Sequence, residues 1–121
     1  MPFILARLSV PVTAKEEQDL KKRIGLAMEL IRGKSEANLL LGLQGDYHFF
    51  LRGEEREAVA YLEVKIFGNE DHFGFDRFTK AITEAFHEVL RIPLENIFLL
   101  FSDITAWAVN GVFFDRRRIK L

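Results

Sequence analysis

Apolar residues recur along this chain with two different spacings, and the spacing changes from one segment to the next. Two longer segments, residues 14–32 and 73–90, repeat their apolar residues every three or four positions, as one face of an α-helix does. Residues 107–114 predict one or two very short strands. Four short apolar runs predict longer β-strands, over residues 3–9, 38–43, 58–67 and 96–101.

Turn and capping residues mark where these elements begin and end. Thr13 and Glu16 have the spacing of a capping box at the start of the first helix, and Gly33 is typical of a residue that ends a helix. Residues 44–46 predict a turn, which would fold residues 47–52 back as the second strand of a hairpin. The predicted order is strand, helix, strand, strand, helix, strand.

The two halves of the chain resemble each other at an offset of 58 positions, which sets Phe3 against Tyr61 and Ile24 against Ile82. Each half therefore predicts one β-α-β unit. Together they predict an α+β fold with one four-stranded mixed sheet, both helices on one face, and short extra strands. A single domain is expected over residues 1–121, with pseudo-repeats at about 2–52 and 59–104 and a C-terminal tail over 115–121.

The second face of this sheet also requires burial. The strands over residues 38–43 and 96–101 are apolar at successive positions, although two helices on one side can cover only one face. An isolated subunit would leave the other face in water, which is typical of a protein that associates with other chains. The sequence therefore predicts an oligomer.

Composition and charge exclude several classes of protein. The 121 residues include 17 basic and 18 acidic side chains, a balance that argues against binding to a nucleic-acid backbone. There is no cysteine, and His48, His72 and His87 lack the spacing of metal ligands, so no metal site is expected. No apolar run reaches the ~20 residues of a membrane span. A cytoplasmic protein is expected, with release that needs no signal peptide as an alternative.

Pro2 is the strongest candidate for chemistry. It follows Met1 and is small enough for the initiator methionine to be removed, which would leave a free secondary amine. An α-amino group has a pKa near ~8 in water, and burial lowers that pKa because it destabilises the charged form. A base with a pKa near neutrality suits the removal of a proton beside a carbonyl. Met-Pro is also a common start, so this motif alone decides nothing.

Six short motifs occur in a characteristic order. They are Met-Pro-Phe-Ile (1–4), Ser-Val-Pro-Val-Thr (9–13), Gly-Lys-Ser-Glu (33–36), Glu-Val-Lys-Ile-Phe-Gly (63–68), Ile-Pro-Leu-Glu-Asn-Ile (92–97) and Asn-Gly-Val-Phe-Phe (110–114). With the duplicated β-α-β unit, they make the chain resemble the tautomerase superfamily, of the macrophage migration inhibitory factor type, over residues 2–114. The resemblance implies a homotrimer around a central channel and active sites between neighbouring subunits. Typical activities are enol–keto conversions of phenylpyruvate-like and dopachrome-like compounds.

The resemblance assigns three roles within one subunit. Pro2 matches the catalytic proline. Lys34 matches the lysine that holds the substrate carboxylate and keeps the proline amine unprotonated. Phe67 matches the position that offers a backbone amide to the substrate.

Four further positions are matched by the resemblance, and three of them depart from the family pattern. Phe98 and Leu100, from the adjacent subunit, stand where the family usually has tyrosine and asparagine. Val109 stands at a position that is usually aromatic, whereas Phe114 keeps its ring. Phenylalanine cannot donate the hydrogen bond of a tyrosine hydroxyl, and leucine has no polar group. Loss of a donor aimed at developing charge can cost on the order of 10²–10³ in rate.

Two functions from different classes remain open. The first is a cofactor-free keto–enol tautomerase that acts on small carboxylates of the phenylpyruvate type, with weak or altered activity because of Phe98 and Leu100. The second is a non-catalytic trimeric binding or cytokine-like signalling module that keeps a residual pocket. The enzyme requires a Pro2 nitrogen that is free and faces a cavity, whereas the binding module does not.

Overall fold

The fold was examined in a computed structural model, which describes residues 1–55 and 58–118. Its two α-helices are α1 (Ala14–Met28) and α2 (Phe75–Leu90), and short 3-10 helices span Glu36–Asn38, Leu94–Asn96 and Arg116–Arg118. The strands in chain order are β1 (Pro2–Leu8), β2 (Leu40–Gln44), β3 (Phe50–Leu51), β4 (Glu54–Glu55), β5 (Ala60–Phe67), β6 (Ile97–Ile104), β7 (Ala106–Val109) and β8 (Val112–Asp115).

Four strands form one mixed sheet, in the order β2-β1-β5-β6. β1 is parallel to β2, β5 is parallel to β6, and the antiparallel pair β1–β5 joins the two halves. A helix connects each parallel pair, because parallel strands require a long crossover. This arrangement confirms the α+β fold with a duplicated β-α-β unit. Residues 119–121 of the expected C-terminal tail lie outside the described part of the chain.

The helices begin where the sequence predicts, but α1 ends early. The Thr13 hydroxyl accepts from the Glu16 amide at 3.1 Å, and the Glu16 carboxylate accepts from the Thr13 amide at 2.9 Å, which completes the capping box. α1 ends at Met28 rather than near residue 32, and turns lead from there to Gly33, whose φ is +74°. The prediction that Gly33 ends the helix is therefore wrong, because Glu29 is the C-cap and the positive φ of Gly33 belongs to the turn that follows.

Both helices pack on one face of the sheet. Alternate residues of β1 and β5 point into this core, in keeping with the period of two in a strand. The largest fully buried side chains come from strands, helices and connecting turns, and they include Ile4, Leu8, Leu20, Ile24, Met28, Ile31, Leu62, Ile66, Phe78, Ile82, Phe86 and Ile92. Of the twelve phenylalanines in the sequence, Phe75, Phe78 and Phe86 are buried in this core, whereas Phe50, Phe73, Phe98, Phe113 and Phe114 are exposed.

The hairpin predicted between residues 38–43 and 47–52 is wrong. After β2 the chain crosses to the end of β1, where the Tyr47 amide donates to the Leu8 carbonyl at 2.9 Å. β3 instead pairs with β4 around Arg52 and Gly53, whose φ values of +54° and +80° suit a two-residue hairpin turn. The very short strands predicted near the C-terminus are present as the β7–β8 pair.

The sheet face opposite the helices is apolar at its edges and charged at its centre. On the edge strands, Leu40 is 60% exposed, Phe98 is 40% exposed and Leu100 is 52% exposed. The central strands carry charged side chains on the same face, namely Arg7, Glu63 and Lys65. The exposed apolar residues of this face therefore lie on β2 and β6, the strands for which the sequence predicted them, while Phe3 and Leu5 of β1 are half-buried on the same face. Within the described ranges, no helix is long and apolar enough to cross a membrane.

Candidate active site

The start of β1 is fixed in the sheet by its own backbone. Pro2 is buried and lies opposite Ile66 of β5. The Phe67 amide donates to the Met1 carbonyl at 3.1 Å, which continues the β1–β5 pairing to the first residue. The main-chain atoms on both sides of the Pro2 ring are therefore held at a defined place.

Lys34 lies beside this terminus because of the turns that follow α1. The Lys34 amide donates to the Ile31 carbonyl at 3.0 Å, and the half-buried side chain reaches the Met1 amine, to which it is hydrogen-bonded. A side chain at Gly68, whose φ is +89°, would begin 3.8 Å from the Lys34 Nζ. The loop after β5 therefore lies close to this ammonium group at Gly68.

The Met1 amine is weakly basic in this setting. Burial is the largest cause, and the positive charge and hydrogen bond of Lys34 act in the same direction. Together they lower the pKa of the Met1 amine from 8.0 to about 6. The fold thus provides a partly desolvated amine next to a cation, with a backbone N–H directed at the adjacent carbonyl.

A pair of aromatic rings connects the end of β5 with the C-terminal β7–β8 hairpin. The rings of Phe67 and Phe114 lie 6.4 Å apart, edge to face. Phe114 lies opposite Trp107 in the β7–β8 pair, while Val109 lies nearer the turn, opposite Val112. Phe114 and Val109 are 37% and 41% exposed. The structure therefore brings Pro2, Lys34 and the Phe67 amide together around Met1, and it sets the Phe114 ring beside the Phe67 ring, with Val109 on the same hairpin.

Phe98 and Leu100 do not join this group within one chain. They project from β6 on the face opposite the helices, whereas Pro2 projects on the helix face. Their partners across the β5–β6 pair are Tyr61 and Glu63. Both side chains are open to contact with another subunit.

A polar cluster that the sequence motifs did not reveal lies beside these two residues. The Tyr61 hydroxyl donates to Glu63 Oε2 at 3.3 Å, and Arg7 Nη1 lies 3.4 Å from the same oxygen. Lys65 Nζ lies 3.9 Å from Glu63 Oε1. Polar residues at positions 61, 63 and 65 of an otherwise apolar strand were the available signal, because alternate positions share a face.

His72 links two elements. Its Nε2 lies 2.8 Å from both carboxylate oxygens of Asp103, which ties the loop before α2 to β6. The His72 ring also stacks on Phe75 at 4.7 Å.

Within residues 1–55 and 58–118, no cluster of three or more histidine, aspartate or glutamate side chains could hold a metal ion.

The weak basicity of the Met1 amine can be measured directly. In a chain that begins at Met1, acylation of this amine should rise with pH around a midpoint near pH 6, since only the neutral amine reacts. Lys34→Met should move the midpoint upwards, towards 8.0, without reaching it, because burial remains. Competitive labelling followed by mass spectrometry of the N-terminal peptide measures both midpoints.

Lys80→Met is the matched control, because Lys80 is an exposed lysine on α2. It should leave the midpoint where the unaltered chain has it. An unaltered chain with a midpoint near 8 would contradict the described environment of the amine.

Comparison with solved structures identifies the fold. A scan against protein-family models and a search of curated proteins each find no match. A macrophage migration inhibitory factor homologue from Prochlorococcus marinus is 27% identical, with a TM-score of 0.81 over 93% of this chain and 98% of that one. MIF2 from Leishmania major is 22% identical, with a TM-score of 0.85 over 94% and 97% of the two chains.

A third structure extends the likeness to a second branch of these proteins. A fused 4-OT protein, described as an asymmetric trimer, is 15% identical, with a TM-score of 0.79 over 91% of this chain and 94% of that one. The fold of this chain is therefore that of the tautomerase superfamily. This likeness supports the resemblance to macrophage migration inhibitory factor proteins that the six sequence motifs indicate.

Proposed function

We propose that this chain is a cofactor-free keto–enol tautomerase, which acts as a homotrimer on small 2-oxo carboxylates of the phenylpyruvate type. One observation carries the proposal: the Met1 amine, one residue before β1, is partly desolvated beside Lys34, and the Phe67 amide donates to the Met1 carbonyl, so a Pro2 amine would lie in the same setting. The tautomerase fold supports the same class of reaction.

The proposed activity requires that Met1 has been removed by hydrolysis before catalysis. The Pro2 nitrogen then becomes a secondary amine at a buried position, where desolvation favours its neutral form. This amine takes a proton from the carbon beside the substrate carbonyl and returns it to the enol at the other end of the conjugated system. Lys34 pairs with the substrate carboxylate.

Removal of Met1 also releases a hydrogen-bond donor. The Phe67 amide now donates to the Met1 carbonyl at 3.1 Å, so it has no donor capacity left for a ligand. In the processed chain the same N–H is available to a substrate oxygen. A backbone donor fixed in a strand is already oriented, which favours stabilisation of developing negative charge.

Assembly into a trimer completes the site in this proposal. The 4-OT structures of similar fold are described as trimers. Exposed apolar residues on the free sheet face and on the β7–β8 hairpin, including Leu40, Leu100, Val112 and Phe113, would be covered by neighbouring copies. Phe98 and Leu100 of an adjacent subunit would then form an apolar wall with Val109 and Phe114.

A specific observation favours a second candidate, a trimeric binding or signalling module. Phe98 and Leu100 present no donor or acceptor to the intersubunit site, and both are exposed in one chain. A pocket that binds an apolar group without catalysing proton transfer needs neither the tyrosine hydroxyl nor the asparagine amide that the family usually has.

A chain that begins at Pro2 tests the proposed activity. It should accelerate the decay of the phenylpyruvate enol, followed by absorbance, and Pro2→Gly should be at least about tenfold slower because the base is altered. Pro11→Gly is the matched control, since Pro11 is an exposed proline in the loop after β1. Mass spectrometry confirms the first residue of each chain.

Two results would reject the enzyme. One is equal inactivity of the processed chain and Pro2→Gly across several 2-oxo acids. The other is an equal loss of rate in Pro2→Gly and Pro11→Gly. Either result, obtained with correctly assembled protein, would favour the binding module.

A further inference from the structure

Tyr61 and Phe98 are neighbours on the free face of the sheet. The parallel pairing of β5 and β6 sets Tyr61 opposite Phe98 and Glu63 opposite Leu100. Paired strands lie about 4.8 Å apart, and paired residues point to the same side. A hydroxyl and a carboxylate therefore lie one strand inward from the two positions that have lost their polar groups.

The Tyr61 hydroxyl is held in one orientation. It donates to Glu63 Oε2 at 3.3 Å, while Arg7 approaches the same oxygen and Lys65 lies near the other. Burial, followed by the negative charge of Glu63, raises the pKa of Tyr61 above its ordinary value, so the phenol stays protonated at neutral pH. Because its hydrogen is directed at Glu63, the oxygen lone pairs remain available to accept.

We propose that Tyr61 supplies the hydroxyl contact on the adjacent subunit's side of the intersubunit site, where Phe98 has none, and so determines specificity for ligands with a hydroxyl at their apolar end. A ligand hydroxyl donates to the Tyr61 oxygen while Tyr61 donates to Glu63. Such a chain of hydrogen bonds ends on a charged acceptor, and each bond strengthens the next. This inference rests on the proposed intersubunit site.

The chain contains only one other tyrosine, which provides the control. Tyr47 lies in the loop after β2, with its ring 5.6 Å from the Arg7 guanidinium carbon. It has no place in the β5–β6 pairing beside Phe98. Tyr47→Phe and Tyr61→Phe each remove one hydroxyl group, and both changes are conservative enough to keep the fold.

The experiment compares two substrates that differ by one hydroxyl, with chains that begin at Pro2. Tyr61→Phe should lower the ratio of kcat/KM for 4-hydroxyphenylpyruvate to that for phenylpyruvate by about fivefold to tenfold, the loss of one hydrogen bond. Tyr47→Phe should leave this ratio within about twofold of the unaltered chain. A ratio separates specificity from folding, because partial unfolding lowers both values equally.

A binding measurement keeps the inference testable if catalysis is absent. Calorimetry with 4-hydroxycinnamate and cinnamate should show the same fivefold to tenfold fall in relative affinity in Tyr61→Phe. A protein that binds these ligands with this preference but converts neither substrate would reject the tautomerase and support the role of Tyr61. An unchanged ratio in Tyr61→Phe, an equal change in Tyr47→Phe, or failure to bind either ligand would overturn that role.

Discussion

A chain that retains Met1 should be at least about a hundredfold slower in kcat/KM than the same chain beginning at Pro2. With Met1 attached the Pro2 nitrogen is an amide, so the general base is lost, and general-base catalysis contributes about 10²–10⁴ in rate. The Met1 carbonyl also occupies the Phe67 amide, at 3.1 Å. The two chains can be prepared by cleavage of a fusion protein at either residue and assayed with phenylpyruvate.

As a control, the assembly and the thermal stability of the two chains are compared. Both chains should sediment alike and melt at similar temperatures, because the β1–β5 pairing from Pro2 onwards is the same in each. Equal rates in both chains would rule out Pro2 as the base. Activity in the Met1 chain that rises with a midpoint near pH 6 would instead identify the Met1 amine as the base.

Leu100→Lys should dissociate the trimer. Leu100 is 52% exposed on the free sheet face, which the proposed assembly covers, and desolvation of an ammonium at such an interface costs several kcal/mol by transfer estimates. The Glu63 carboxylate opposite Leu100 offsets this cost only in part, because it already contacts Arg7 and Lys65. Sedimentation velocity at micromolar concentration should change from three times the 14.0 kDa mass of the chain to a smaller species. Loss of the intersubunit site should accompany this change.

Leu26→Lys is the matched control for assembly. Leu26 is 62% exposed on α1, on the helix side of the sheet, so the same substitution is made at a similarly exposed leucine. It should leave the trimer intact. Dissociation by both variants would show that the sheet face has no special role, and a folded 14.0 kDa species of the unaltered chain would refute the trimer itself.

The local sequence pattern was sufficient to predict the four strands of the main sheet and the two helices. β5 alternates buried and half-buried residues along its whole length, as a strand with one face on the core requires. The capping box at Thr13 and Glu16 specified the start of α1 through contacts three residues apart. The offset between the two halves then indicated the β-α-β duplication, because each half repeats the same periods.

The local sequence pattern led to a wrong prediction where a backbone group has two possible hydrogen-bond partners. Residues 47–52 have the composition of a strand, but the Tyr47 amide pairs with Leu8, distant in sequence, rather than with β2. β2 is already paired with β1 in parallel, through contacts that the crossover helix α1 makes possible. The turn residues at positions 44–46 could not show that the segment after them pairs with the end of β1 rather than with β2.

The candidate site likewise has one part that the sequence predicts and another that depends on the tertiary structure. The motif around Pro2, Lys34 and Phe67 could be recognised in the sequence, because each residue stands at a fixed place in a local segment. Their proximity arises from long-range pairing, such as the Phe67 amide with the Met1 carbonyl. The seven site positions together remain a prediction that the intersubunit experiments above can test.

The sequence by itself determined the four strands of the main sheet, the two helices, their duplication and the residues that resemble a proline-based tautomerase, since these depend on spacing and on short motifs. Only the tertiary structure decided which residues share a face and a register. It placed Tyr61 beside Phe98, and it left the exposed apolar residues of the free face on the edge strands, with charged side chains on the central ones. Register depends on the pairing of segments far apart in sequence, and a shift by one residue would turn every side chain of a strand to the other face.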